Sequence, residues 1–172
     1  MNDSDAINTV LFVARVLLGL TMLAHGYQKV FKGGKLPGTA GWFDSIGMKP
    51  GMMHARMAAA TEMGSGALLA LGFLTSLAGA AYVALMIVAA WTVHRANGFF
   101  IVKSGWEYNM VLAAVGVLFG TIGAGKYSLD HAFKITDTMG GSTGLLISLG
   151  VGVVGGIGQL AIFYRPPAPA AE

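Results

Sequence analysis

Five apolar runs separated by polar stretches constrain this chain more than any motif does. They extend from about Ile7 to Leu23, Met57 to Leu74, Leu77 to Val93, Met110 to Ile122 and Leu145 to Phe163. Roughly 17 to 25 helical residues cross a bilayer core about 30 Å thick, so four of these runs are long enough outright. The fourth run is shorter, and Tyr108, Asn109 and Gly123 extend it toward both interfaces. A hydrophobic share of 55% against 11% charged residues suits a chain immersed in lipid. Open strands would leave backbone amides and carbonyls unpaired in hydrocarbon, and no run alternates as a barrel strand does. The expected architecture is an all-α integral membrane protein, a four-helix transmembrane bundle plus a fifth C-terminal transmembrane helix.

In this reading residues 1–138 form the four-helix core, 139–165 the extra transmembrane helix and 166–172 a proline- and alanine-rich tail. The first residues carry Asp3 and Asp5 but no Lys or Arg, unlike the positive start of a secretory signal peptide, so the first helix is expected to stay in the mature protein. Counting basic residues on alternate sides of five helices puts Lys29, Lys32, Lys35, Lys49, Arg56, Arg95, Lys103 and Arg165 on one side and Lys126 and Lys134 on the other. The richer side is expected to be cytoplasmic. That gives a multi-pass plasma-membrane protein with its N-terminus outside and its C-terminus inside. The formal charge of +3 is then a matter of topology and does not point to nucleic acid. The absence of cysteine excludes disulfides, a thiol relay and a cysteine-held cluster.

Arg15 and Glu62 each stand inside an apolar run, and intramembrane charges of this kind mark function or pairing. Measured from the helix ends near His25 and Ala55, their depths are roughly 15 and 10 Å, close enough for a long guanidinium to bridge. A buried Arg15–Glu62 ion pair is therefore expected, either fixing the packing register or also serving a ligand path.

A second polar group gathers toward the cytoplasmic face, where His25 ends the first helix, His94 ends the third, and Glu107, Tyr108 and Asn109 open the fourth. Histidine beside a carboxylate can accept and pass on a proton near neutral pH, as a quinone or an oxyanion substrate requires. Singly each histidine reads as an interfacial residue bonded to a loop carbonyl, and together they read as a polar pocket. His54 reads as solvated beside Arg56, and His131 sits among Asp130, Lys134 and Asp137. No spacing suggests a metal site. The glycines form no phosphate-binding pattern.

Twelve of the 26 glycines fall inside the apolar runs, with four-residue spacings at Gly116 and Gly120 and at Gly152 and Gly156. Such positions let membrane helices approach closely. Packing within the chain is the reading for Gly116. For the last run, packing within the chain and contact with a second copy stand level.

The ordered series Arg15, His25-Gly26-Tyr27-Gln28-Lys29, Ile46-Gly47, Pro50, Glu62-Met63-Gly64, Leu71-Gly72-Phe73-Leu74-Thr75, His94, Gly98-Phe99-Phe100, Glu107-Tyr108 and Gly125-Lys126-Tyr127-Ser128-Leu129-Asp130 resembles the DoxX family of small bacterial membrane proteins. The resemblance covers about the first 135 residues. It implies a membrane subunit of a quinone-linked redox complex, tied to oxidative stress or sulfur metabolism, with other membrane or soluble subunits as partners. Carried over by position, the family's recurring polar residues are Arg15, His25, Lys29, Glu62, His94, Glu107 and Tyr108. The pocket expected for a quinone is lined by His94, Glu107 and Asn109 with Trp91 and Trp106 nearby, and by His25, Lys29 and Tyr108. The alternative is a scaffold or lipid-handling protein without catalysis of its own. A small-anion transporter has less support, since neither inverted repeats nor matching broken helices are apparent.

Overall fold

The computed structural model describes residues 3–167, so residues 168–172 of the expected tail lie outside the described residues. Helix α1 (Asp3–Phe31) is followed by α2 (Lys35–Ser45), α3 (Gly51–Leu71) and α4 (Thr75–Asn97), the last of which passes into a π turn over Ala90–His94. After a loop come α5 (Glu107–Ile122), two single-turn helices α6 (Leu129–Ala132) and α7 (Thr136–Met139), and α8 (Gly141–Phe163).

Among the described residues, α1, α4 and α8 are long and apolar enough to cross a membrane. At 16 residues α5 is apolar but short. Helix α3 has the length, 21 residues, but includes His54, Arg56 and Glu62 and much Ala and Gly. Composition alone therefore supports three crossings.

Helix α2 occupies a stretch whose Gly33-Gly34 and Pro37-Gly38 read as loop punctuation. Pro37 falls in its first turn, where a missing amide costs no helical hydrogen bond. Leu36, Ala40 and Phe43 recur at helical spacing and pack with Met48, Ala55, Val88 and Phe163. Burial of that one face outweighs the weak helix propensity of its glycines.

The long helices meet through missing side chains. A Cβ on Gly19 of α1 would lie 2.5 Å from the Gly66 carbonyl of α3, and one on Gly116 of α5 would lie 2.8 Å from the Gly79 carbonyl of α4. Backbone is thus packed on backbone, the close approach that drives helix association in lipid. Gly152 and Gly156 of α8 press against α4 at Val83 and Ala84, while Gly150 and Gly158 have nothing close to them. The first pair serves packing within the chain.

These contacts set a register that overturns the expected Arg15–Glu62 pair. Gly19 faces Gly66 and Ala70, and Gly26 faces Ala59 and Met63. Arg15 consequently stands level with the end of α3, and Glu62 with the His25 turn of α1. The two are roughly 15 Å apart along the helix axes, counting 1.5 Å per residue. No arginine side chain closes that gap.

Arg15 is wholly buried and ends α3 instead: Nη1 donates to the carbonyls of Leu69 at 3.1 Å and Ala70 at 2.9 Å, and Nη2 to that of Tyr127 at 2.5 Å. Gly72 follows in a left-handed conformation, φ 64, lying so close to the guanidinium that a Cβ there would collide with it. On the other side of the turn, buried Asp130 accepts from the amides of Leu74 at 2.7 Å and Thr75 at 3.1 Å and from the Thr75 hydroxyl at 2.6 Å.

Candidate functional site

Glu62 finds its cation about four turns further along α1 than Arg15. Lys29, in the last turn of α1, donates to both carboxylate oxygens, at 2.6 and 2.7 Å. The Glu62 side chain is 7% exposed and that of Lys29 22%. The ammonium is held on a nearly buried carboxylate, and pairing makes each charge less costly to bury than it would be alone.

This pair forms one end of a cavity of about 170 Å³ enclosed by α1, α2, α3, α4 and α8. His54, Ala58, Thr61 and Glu62 give α3 a lining stripe at helical spacing, and Leu85, Val88, Ala89 and Thr92 do the same for α4. Phe43 and Trp42 come from α2, and Gln159 comes from α8. The interior is largely apolar with polar groups at its ends, the usual character of a small-molecule site. Eight residues separate His54 from Glu62, about 12 Å along α3.

At the far end, His54 is buried at 1% exposure. Its Nδ1 lies 3.1 Å from the Gln159 side-chain nitrogen. Its Nε2 has no hydrogen-bond partner among the described residues, although the Lys49 carbonyl lies near the ring. Phe43 and Phe163 flank the ring at centroid distances of 6.0 and 5.0 Å.

Lys29 and Trp42 also line an open groove of about 540 Å³, together with Gln28, Lys32, Gly33, Gly34, Gly38 and Thr39. The cavity and the groove therefore share a wall made of one cation and one indole. Trp42 and Met57, both lining the cavity, are themselves exposed.

Of the residues expected from the sequence to line a pocket, Lys29 does so, and the others lie elsewhere. His25 is exposed on α1, near enough to act electrostatically on Glu62. His94 Nδ1 lies 2.7 Å from the Ser104 carbonyl, which also accepts from Asn97 at 3.2 Å. Glu107 accepts from the Ile101 amide at 2.9 Å, and Trp106 packs edge-on against Phe99 at 4.8 Å. Trp91 stacks on the Arg95 guanidinium at 4.1 Å, Tyr108 is exposed, and buried Asn109 donates to Met86 Sδ at 3.6 Å. His94 and Glu107 fasten the α4–α5 loop. His94, Glu107, Asn109, Trp91 and Trp106 are thus not among the residues that line the cavity between α3 and α4.

His54 and Gln159 line the cavity although the sequence marks neither as a candidate. Beside Arg56 the sequence suggests a solvated His54, and the structure buries it. The available signal was its position two turns before Glu62 on one face of a helix, with Gln159 an amide inside the last apolar run. Among the described residues no three His, Cys, Asp or Glu side chains gather closely enough to hold a metal ion.

A family model described as DoxX matches residues 10–95, half of the 172-residue chain. The match takes in Arg15, Lys29, His54, Glu62 and the α4 stripe, and stops before α5. No curated protein and no solved structure matches the chain.

Proposed function

Because this chain belongs to the DoxX family, we propose that it is a membrane-embedded subunit of a redox assembly, and that its cavity receives the head ring of a quinone. The observation that carries this reading is the pairing of an apolar interior with hydrogen-bonding groups at both ends: Lys29 and Glu62 at one, His54 at the other. A ring with an oxygen at each end matches that arrangement. At about 170 Å³ the cavity is smaller than the roughly 300 to 1,000 Å³ of drug-sized sites. It suits a single ring whose apolar tail leaves past Met57 into lipid.

In this proposal five helices cross the bilayer, residues 1–138 and 139–165 being core and added helix, with the Lys29–Lys32 side facing the cytoplasm. Electrons come from a partner subunit. Lys29 sits in the wall of both cavity and groove, so protons taken up by the ring pass its ammonium and the Glu62 carboxylate. A scaffold role without catalysis is the competing reading, favoured by the purely structural contacts of Arg15 and His94.

Purification from native membranes, followed by organic extraction and by thermal unfolding with a short-chain quinone added, tests the proposal. A co-extracted quinone and a raised unfolding temperature are expected, both lost in Lys29→Met. Protein that carries no quinone and whose unfolding temperature ignores the analogue belongs to the scaffold reading.

A further inference from the structure

We propose that Gln159, from the last helix, sets the tautomer of His54 and so decides which chemical group the cavity accepts at that end. The inference rests on reading the cavity as a ligand site, but it concerns a property of the empty protein as well.

A neutral imidazole has one nitrogen that donates and one that accepts, and a partner on one nitrogen fixes the character of the other. Here the Gln159 amide nitrogen faces Nδ1 at 3.1 Å. An amide N–H donating to Nδ1 leaves the ring proton on Nε2. That nitrogen belongs to a buried, cavity-lining residue and makes no hydrogen bond of ordinary geometry among the described residues, with the Lys49 carbonyl near the ring as a backbone acceptor. An N–H left poorly satisfied is costly in an apolar interior, and a well-placed ligand oxygen would compete with the Lys49 carbonyl for it. The group selected is a hydrogen-bond acceptor such as a ring carbonyl.

The ring has little freedom to escape this arrangement. Phe43 of α2 and Phe163 of α8 flank it, and Phe163 stands one turn beyond Gln159 on the same helix. One face of α8 therefore supplies both the hydrogen bond and an aromatic wall. Gln159 lies outside residues 10–95, so this determinant belongs to the part of the chain beyond the family match. Reversal of the amide would place its oxygen against an Nδ1–H and leave Nε2 as an acceptor, which would select a hydroxyl donor instead.

Histidine nitrogen chemical shifts distinguish the tautomers directly. The full chain, labelled with 15N-histidine and reconstituted without ligand in lipid nanodiscs, is recorded near neutral pH, with His54→Asn used to assign the signals. The Nε2–H tautomer is expected for His54. In Gln159→Met, of similar length but without the amide, the signals should move toward a tautomer mixture, and the affinity for a short-chain benzoquinone should fall in proportion to the lost share of the Nε2–H tautomer, about twofold for an even mixture. If Gln159→Met does not insert properly, Gln159→Asn, too short to reach the ring, carries the same expectation. An Nδ1–H tautomer in the parent protein, or signals unchanged in the variant, overturns the inference. A confirmed tautomer lock together with no benzoquinone binding leaves the inference standing and removes the quinone reading.

Discussion

Arg15 and Asp130 secure the α3–α4 turn from opposite sides: the guanidinium takes the carbonyls that end α3, and the carboxylate takes the amides that begin α4. Each charge meets the helix end of opposite partial charge. Buried helix ends without such partners would leave orphan groups unsatisfied in a poorly hydrated region. The loop bearing Tyr127 and Asp130 is tied in by the same contacts, since the Tyr127 carbonyl accepts from Arg15 and the Asp130 amide donates to Gly72.

Removing the cation should therefore cost more than removing the anion. Arg15→Met deletes several charge-assisted hydrogen bonds and is expected to destabilise by about 2 to 4 kcal/mol. Asp130→Ala is expected to cost about 1 to 2 kcal/mol, as lost caps do, and Asp130→Asn less because it keeps an acceptor. Thermal unfolding in detergent gives the ranking. An order with Asp130→Ala above Arg15→Met contradicts the division of roles.

The Lys29–Glu62 pair gives a second test. Lys29→Met leaves a carboxylate at 7% exposure without its cation, for a loss of about 1 to 3 kcal/mol, moderated by the partial exposure of Lys29. Adding Glu62→Gln to that variant should recover part of the loss. A Lys29→Met variant as stable as the parent protein would show that the pair contributes nothing to the fold.

His94→Gln and Glu107→Gln should leave ligand binding in the cavity unchanged, because neither lines it. Both should speed proteolytic cleavage of the Gly98–Trp106 stretch, whose backbone they fasten. Loss of binding with an intact loop would restore these residues to the site.

Glycine positions separate in the same way. Gly116→Val drives a side chain into the Gly79 carbonyl and Tyr82, and is expected to cost about 1 to 3 kcal/mol or to prevent assembly. Gly158→Ala meets open space and should be near neutral. Unfolding temperatures of the two variants provide the comparison, and similar values would remove the close-packing argument.

The helical class was legible because apolar runs of this length have few other solutions in lipid. The residue types of the site were legible too, since Lys29 and Glu62 stand out against their surroundings. Their partners were not. Pairing Arg15 with Glu62 assumed that the His25 and Ala55 ends lie level, whereas contacts at Gly19, Gly26 and Gly66 slide the helices by about two turns. That register depends on which small residues meet, and a list of glycines does not reveal their matches. His54 was missed for a related reason: α2 and α8 cover it, and α2 lay hidden under Pro and Gly.

His54 and Gln159 are 105 residues apart in the chain, yet they touch. During synthesis the imidazole is made long before the amide. Until α8 is made, the imidazole has no amide to meet. The contact between them therefore forms only once α8 has been made and packed against α4.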